Sequence, residues 1–193
     1  MPTDKRIDFD TITGLVPAAA RVLDLGCGDG TLLEQLVQGK NVEARGVEIS
    51  EDNVRACISR GLSVRHGNIE EGLADYRDTA FDYVILSKTL AYLNHPEPVA
   101  REMLRVGKHA IISFDNAGHW RTRVRALIGH GMGTTLISGE PRIRSITLDQ
   151  FKAFIDSLNA RVEQSIYLSG SRATTCLPTL CATTAVFVLM KNR

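Results

Sequence analysis

The stretch RVLDLGCGDG, residues 21–30, constrains the fold more than any other part of the chain. An apolar alternation runs into Gly26, Gly28 and Gly30, and the next residues, TLLEQLVQ, carry apolar side chains at helical spacing. Strand, glycine-rich turn and helix in that order build a ligand site at the carboxyl end of the first strand of a parallel sheet. The glycines admit backbone conformations closed to other residues and let the main chain approach a ligand closely. Dinucleotide-binding turns are spaced GxGxxG; here the run is GxGxG, and Thr31 stands where that pattern needs its last glycine, which disfavours pyrophosphate binding.

Short apolar strands alternate with helical patterns through the rest of the chain, the signature of an α/β sheet. Strands are expected at 21–26, 43–49, 62–67, 81–87 and 108–114. Helices are expected between them, at 31–38, at 50–61 with Ser50 as N-cap and Gly61 at its stop, and at 96–107 with prolines at its start and Gly107 at its end. Thr147 followed by Gln150 reads as a capping box opening a helix through 148–160. Residues 161–169 and 183–191 read as two further strands joined by a long turn, the last running antiparallel. The pattern over 115–146 is unsettled. With 193 residues, 44% of them hydrophobic, and no linker or repeat, a single domain over 1–193 is expected.

Charge excludes some partners. A formal net charge of +1, from 23 basic and 22 acidic residues, lacks the field with which proteins track phosphate backbones, so no nucleic-acid partner is expected. No run reaches the roughly 18 apolar residues of a membrane span, and no secretory signal opens the chain, so a cytoplasmic location without membrane association is expected. Cys27, Cys57, Cys176 and Cys181 form no CxxC pair and read as free thiols; no metal site is expected.

A second acidic residue narrows the ligand. Glu48 ends the second strand, 20 residues past Gly28, where a carboxylate can accept both hydroxyls of a ribose. The GxGxG turn preceded by Asp24 resembles motif I of class I S-adenosylmethionine-dependent methyltransferases. The resemblance implies a Rossmann-like fold: a mostly parallel seven-stranded sheet with an antiparallel last strand and helices on both faces. It further implies S-adenosylmethionine or S-adenosylhomocysteine as cofactor. Asp24, Gly26, Cys27, Gly28 and Gly30 would face its methionine half, Glu48 would hold the ribose, and Ile49, next in sequence, would be a further cofactor contact. Asn68 and the Ile69 amide would meet the adenine, and Ser87, with Lys88 and Thr89, would stand beside the sulfonium.

Within that class the chain is similar to the MetW family of methionine-biosynthesis proteins. The likeness rests on RVLDLGCGDGTLL, GVEIS, ACISRGLSV, GLADYRDTAFDYVILSKTL, EMLRVGKHAIISF and GHWRTRVRALIGHGM, and covers residues 20–133. It implies a companion of homoserine O-acyltransferase. Trp120, Arg121 and Arg125 are the candidate contacts, since a large aromatic beside arginines is enriched at interfaces. Arg121, Arg123 and Arg125 could also form an anion or RNA patch, but near-neutral net charge favours a solvated or protein-contacting face. The alternative function is a true methyltransferase whose small-molecule acceptor enters between 87–95 and 115–145. Tyr92, His95 and His119 are candidates for proton transfer there, although turn, capping or packing roles suit the histidines better, and the catalytic residues stay unassigned. The chain departs from the family pattern at Asp115 and Ala117 around Asn116, over 134–146 and over 169–184.

Overall fold

A computed structural model describes residues 6–128, 143–170 and 172–192; the sequence readings for 129–142 lie outside the described residues. Five strands run parallel, β1 (Arg21–Leu25), β2 (Glu43–Glu48), β3 (Val64–His66), β4 (Phe81–Ser87) and β5 (Gly107–Asp115). They are followed by β6 (Ala160–Ser169), β7 (Arg172–Ala173) and β8 (Thr184–Lys191). The order across the sheet is β3-β2-β1-β4-β5-β8-β6-β7. As expected, the last strand is antiparallel: β8 inserts between β5 and β6 and opposes both. β7 is a two-residue addition to the expected seven strands, paired with the end of β6 inside the segment where the sequence carried no recognisable pattern.

The helices are α1 (Ile7–Leu15), α2 (Thr31–Lys40), α3 (Glu51–Ser59), α4 (Pro96–Val106), α5 (Trp120–Leu127), α6 (Leu148–Ser157) and α7 (Pro178–Cys181). Alternation along each strand sends apolar residues to opposite faces. On one face Ile12 and Val16 of the α1 segment and Leu32 and Leu36 of α2 pack on Val22, Ile85, Ile111 and Val186. On the other, Met103 of α4 and Phe151 and Ile155 of α6 pack on Leu23, Val84, Ile112, Phe114 and Phe187. Phe151 anchors this second layer, its ring centroid 4.5 Å from that of Phe114 and 4.8 Å from that of Phe187. Burying each such side chain contributes about 1.5–3 kcal/mol.

Local chemistry sets the helix ends. Thr147 and Gln150 form the expected capping box, and Ser50 caps α3, which ends just before Gly61 at φ +74°. Gly107 takes an extended conformation rather than a left-handed one. Its role is room: a Cβ there would stand 2.6 Å from Val84 Cγ2 and 3.1 Å from the Met103 carbonyl, so only glycine lets α4 turn straight into β5. α1 has no counterpart in the sequence reading. Its nine residues bury only Asp8 and Ile12, too sparse a pattern to register as a helical stripe. Among the described residues no helix is long and apolar enough to cross a membrane.

Candidate ligand-binding site

β1 is flanked by β2 on one side and β4 on the other, so the chain reverses its winding there and leaves a crevice at the carboxyl ends of these strands. The glycine turn fills that position. Gly26, Gly28 and Gly30 all have positive φ, at +72°, +57° and +81°. Two of them are also held by packing: a Cβ on Gly26 would come within 2.8 Å of the Thr89 side chain, and one on Gly30 within 2.5 Å of Leu62 Cδ1 and 2.8 Å of Cys57 Sγ. Gly28 differs, since a Cβ there would meet nothing within 4 Å. It faces open space, the direction from which a ligand would approach the turn.

Glu48 is buried at the end of β2 and bonded to the turn. Its Oε2 accepts the Gly28 N–H at 2.9 Å, and Oε1 accepts the Ser50 N–H at 2.9 Å and the Asn53 amide at 3.5 Å. Two backbone donors thus fix a carboxylate beside the glycines. Asp24, one strand over, is 2% exposed, and its Oδ1 has no hydrogen-bond partner among the described residues. Burial pushes its carboxyl up to about 7; the Arg6 charge opposes this, and the Glu48 and Asp8 charges add to it. An orphaned carboxylate oxygen at this depth is costly unless a cationic or N–H donor completes it.

The remaining sequence candidates follow the carboxyl ends of β1, β2 and β3, with different parts exposed. Ile49 follows Glu48 with 65% of its surface exposed. Asn68 caps the 3₁₀ turn Ile69–Glu71, its Oδ1 accepting the Glu70 N–H at 3.0 Å, which leaves its NH₂ group to offer a ligand. Ile69 is buried, so only its backbone can serve. Cys27 packs inward against Leu33 and Cys57; burial first, then the Asp24, Cys57 and Glu48 charges, push its thiol far up, so this side chain is an interior one. The four cysteines are free, and among the described residues no cluster of three or more His, Cys, Asp or Glu could hold a metal.

Beyond Gly26 the crevice widens into a cleft of about 460 Å³ between residues 87–92, 114–117 and 143–146, with Arg6 and Thr122 at its edge. Ser87 lies at its floor, bonded to the N-terminal segment: its Oγ donates to Asp8 Oδ2 at 2.7 Å and accepts from Arg6 Nη2 at 2.8 Å. Ser113 on β5 also donates to Asp8 Oδ2, at 3.0 Å. Lys88 holds a left-handed φ of +56°, its N–H bonded to the Ser113 carbonyl at 2.9 Å and its Nζ 2.9 Å from Asp115. A lysine in that conformation is strained, and the surrounding bonds keep it there. Arg6, Asp8, Ser113 and Arg144 carry no local motif, and the sequence reading missed all four.

Of the proposed proton-transfer residues, Tyr92 lines the cleft and is half exposed. His95 is not among the lining residues; it is exposed at the start of α4, its backbone N–H bonded to Glu70 Oε1. His119 is a helix cap: buried, it accepts the Arg121 N–H at Nδ1 over 3.2 Å. Burial and then the Arg121 charge lower its pKa, which keeps the ring a neutral acceptor. Trp120 opens α5. It is 49% exposed, with the Arg121 guanidinium 5.4 Å from its ring centroid, and Val124, Leu127 and Ile128 are exposed along the same face of α5.

A mixed sheet with one reversed strand, a glycine turn after β1 and an acidic residue ending β2 place the chain in the class I methyltransferase fold. Solved structures agree: an S-adenosylmethionine-dependent methyltransferase from Archaeoglobus fulgidus superposes with a TM-score of 0.72 at 16% identity over 96% of this chain and 92% of that one. One from Mesorhizobium loti gives 0.71 at 12% identity over 96% and 98%. More narrowly, the chain belongs to the family described as methionine biosynthesis protein MetW, whose model matches residues 6–189. A curated relative, the bifunctional methionine biosynthesis protein MetXA/MetW of Rhodopirellula baltica, is 31% identical over 175 residues, covering 83% of this chain and 28% of that protein. The ubiquinone biosynthesis O-methyltransferase of Methylococcus capsulatus is 32% identical over 96 residues, 47% of this chain and 40% of that one. The chain thus spans less than half the length of either.

Proposed function

We propose that this chain binds S-adenosylmethionine or S-adenosylhomocysteine and serves methionine biosynthesis as a companion of homoserine O-acyltransferase. The observation that carries the cofactor reading is the orphaned Asp24 Oδ1 beside a glycine turn whose middle member faces open space. The residues fit the group. Asp24 supplies a carboxylate for the ammonium of the methionine half, Glu48 supplies acceptors for the ribose hydroxyls, and exposed Ile49 supplies an apolar face for the adenine. Asn68 and the Ile69 amide lie at the adenine end, Ser87 at the sulfonium, and Gly26, Cys27, Gly28 and Gly30 contribute backbone. When bound, the cofactor supplies an electrophilic methyl group; this chain's residues orient it and shape the cleft next to it.

The fused relative, whose name joins MetXA and MetW, supports association with an acyltransferase. Trp120, Arg121 and Arg125 on the exposed face of α5 are the proposed contacts, a cationic and aromatic surface of the kind enriched in interfaces. A second reading, methyl transfer to a small acceptor, is favoured by one observation: the cleft opens directly beyond Gly26.

Titration calorimetry with both forms of the cofactor tests the first reading; no heat with either overturns it. A pull-down with homoserine O-acyltransferase tests the companionship, and an Arg121→Glu/Arg125→Glu variant is expected to lose the acyltransferase while keeping cofactor affinity. Methyl-donor consumption in cell extract, above that of an Asp24→Ala control, would establish the second reading.

A further inference from the structure

The charges around the cleft do not balance. Arg6 is matched by Asp8, Nε to Oδ1 at 3.0 Å and Nη2 to Oδ2 at 2.9 Å. Lys88 is matched by Asp115, whose Oδ1 also accepts the Thr184 hydroxyl at 3.0 Å. Arg144 has no carboxylate partner among the described residues. Its Nε donates to the Leu93 carbonyl at 3.0 Å and its Nη2 to the Asn94 carbonyl at 2.7 Å. Its backbone N–H donates to the Ala91 carbonyl at 2.8 Å. Those bonds fix the guanidinium through main chain and side chain alike without neutralising it, and they leave Nη1 with donors to spare.

A held cation with free donors is preorganised for an anion, because little rotamer entropy is lost when one arrives. Phe114, Ile143 and Ile146 supply the apolar part of the cleft lining. At about 460 Å³ the space suits a small molecule. We propose that the cleft is the site of a second ligand, a small carboxylate with an apolar body, whose carboxylate is held by Arg144. The assignment rests on the cofactor reading for its meaning, since it places this ligand next to the methyl-donor site, but it makes its own prediction about charge.

The test compares butyrate with its neutral isostere butyramide, by NMR titration of the protein with and without saturating S-adenosylhomocysteine. Butyrate is expected to bind about tenfold more tightly than butyramide, the scale of a charge-assisted hydrogen bond. Arg144→Gln should bring that ratio to about one, and Arg144→Lys should restore most of it, with S-adenosylhomocysteine affinity serving as the check on folding in both variants. Equal binding of butyrate and butyramide to the wild type overturns the inference, as does a preference that survives Arg144→Gln. If S-adenosylhomocysteine binds but no carboxylate preference is found, this inference falls alone. If the preference is present but S-adenosylhomocysteine does not bind, the cofactor reading falls, and with it the place of the carboxylate as second ligand.

Discussion

Ser87 and Asp8, 79 positions apart in sequence, meet at 2.7 Å, and that bond joins the N-terminal helix to the end of the fourth strand. Asp8 is 1% exposed and gathers Arg6, Ser87 and Ser113 around one carboxylate. The floor of the cleft is therefore built from both ends of the chain's first half, and its shape depends on a buried charge.

Replacing Asp8 by Ala should cost about 2–3 kcal/mol of stability, because two hydroxyls and a part-buried guanidinium lose their acceptor. Burial raises the Asp8 carboxyl, but the hydrogen bonds from Arg6 and Ser87 and the Arg6 and Lys88 charges outweigh it and leave it lowered. A group lowered in the folded state contributes stability above its unfolded value, and that contribution is lost as pH falls through the folded one. Urea unfolding of wild type and Asp8→Ala, followed from neutral to acid pH, should show the gap between them closing toward low pH.

Asp24 titrates in the opposite sense. Its carboxyl is raised from the ordinary 3.8 to about 7, so between those values the folded chain keeps a proton that the unfolded chain has released, and its contribution to stability falls as pH rises through the window. A cationic ligand group needs the ionised form. Affinity for S-adenosylmethionine should rise about tenfold from pH 5.5 to pH 7, and an Asp24→Asn variant should lose this slope. Calorimetry across that range reads both; an unchanged slope in the variant would sink the assignment.

The glycines separate packing from access. Gly30→Ala should destabilise the fold by about 2 kcal/mol or more, since it adds a left-handed strain to a collision with Leu62 and Cys57. Gly28→Ala meets no neighbour and should cost only about 1–2 kcal/mol, yet its methyl group would stand where the ligand approaches. Thermal melts and ligand titrations of the two variants should therefore rank them in opposite orders.

Glu48→Ala should weaken cofactor binding by about 2–3 kcal/mol, the scale of a charge-assisted pair of hydrogen bonds. Calorimetric affinity within a factor of two of wild type would show that the ribose is held elsewhere.

Much of this site was legible because its parts are local. Asp24, the three glycines and Glu48 each sit at the end of a strand whose apolar alternation marks its boundary, and strand ends in a parallel sheet converge by construction. Caps such as Thr147 with Gln150 were legible for the same reason, since a cap is satisfied within four residues. The roles of Arg6, Asp8 and Arg144 in the cleft were not, because each also depends on a partner at least 50 residues distant: Ser87 is 81 positions from Arg6 and 79 from Asp8, and Asn94 is 50 from Arg144. No spacing rule carries such a pairing.

The sequence by itself determined the order of seven strands and of the helices α2, α3, α4 and α6, the glycine turn and the acidic residues that end the strands beside it, because hydrophobic periodicity and backbone freedom act over a few residues. Tertiary structure decided which charges meet. It buried Asp24 with its Oδ1 unpartnered among the described residues, brought Ser87 and Ser113 to Asp8, and left Arg144 without a carboxylate among the described residues; it also turned Cys27 into the core while exposing the apolar face of α5. Burial and charge balance depend on which elements share a space, and only the packed sheet and its helices fix that.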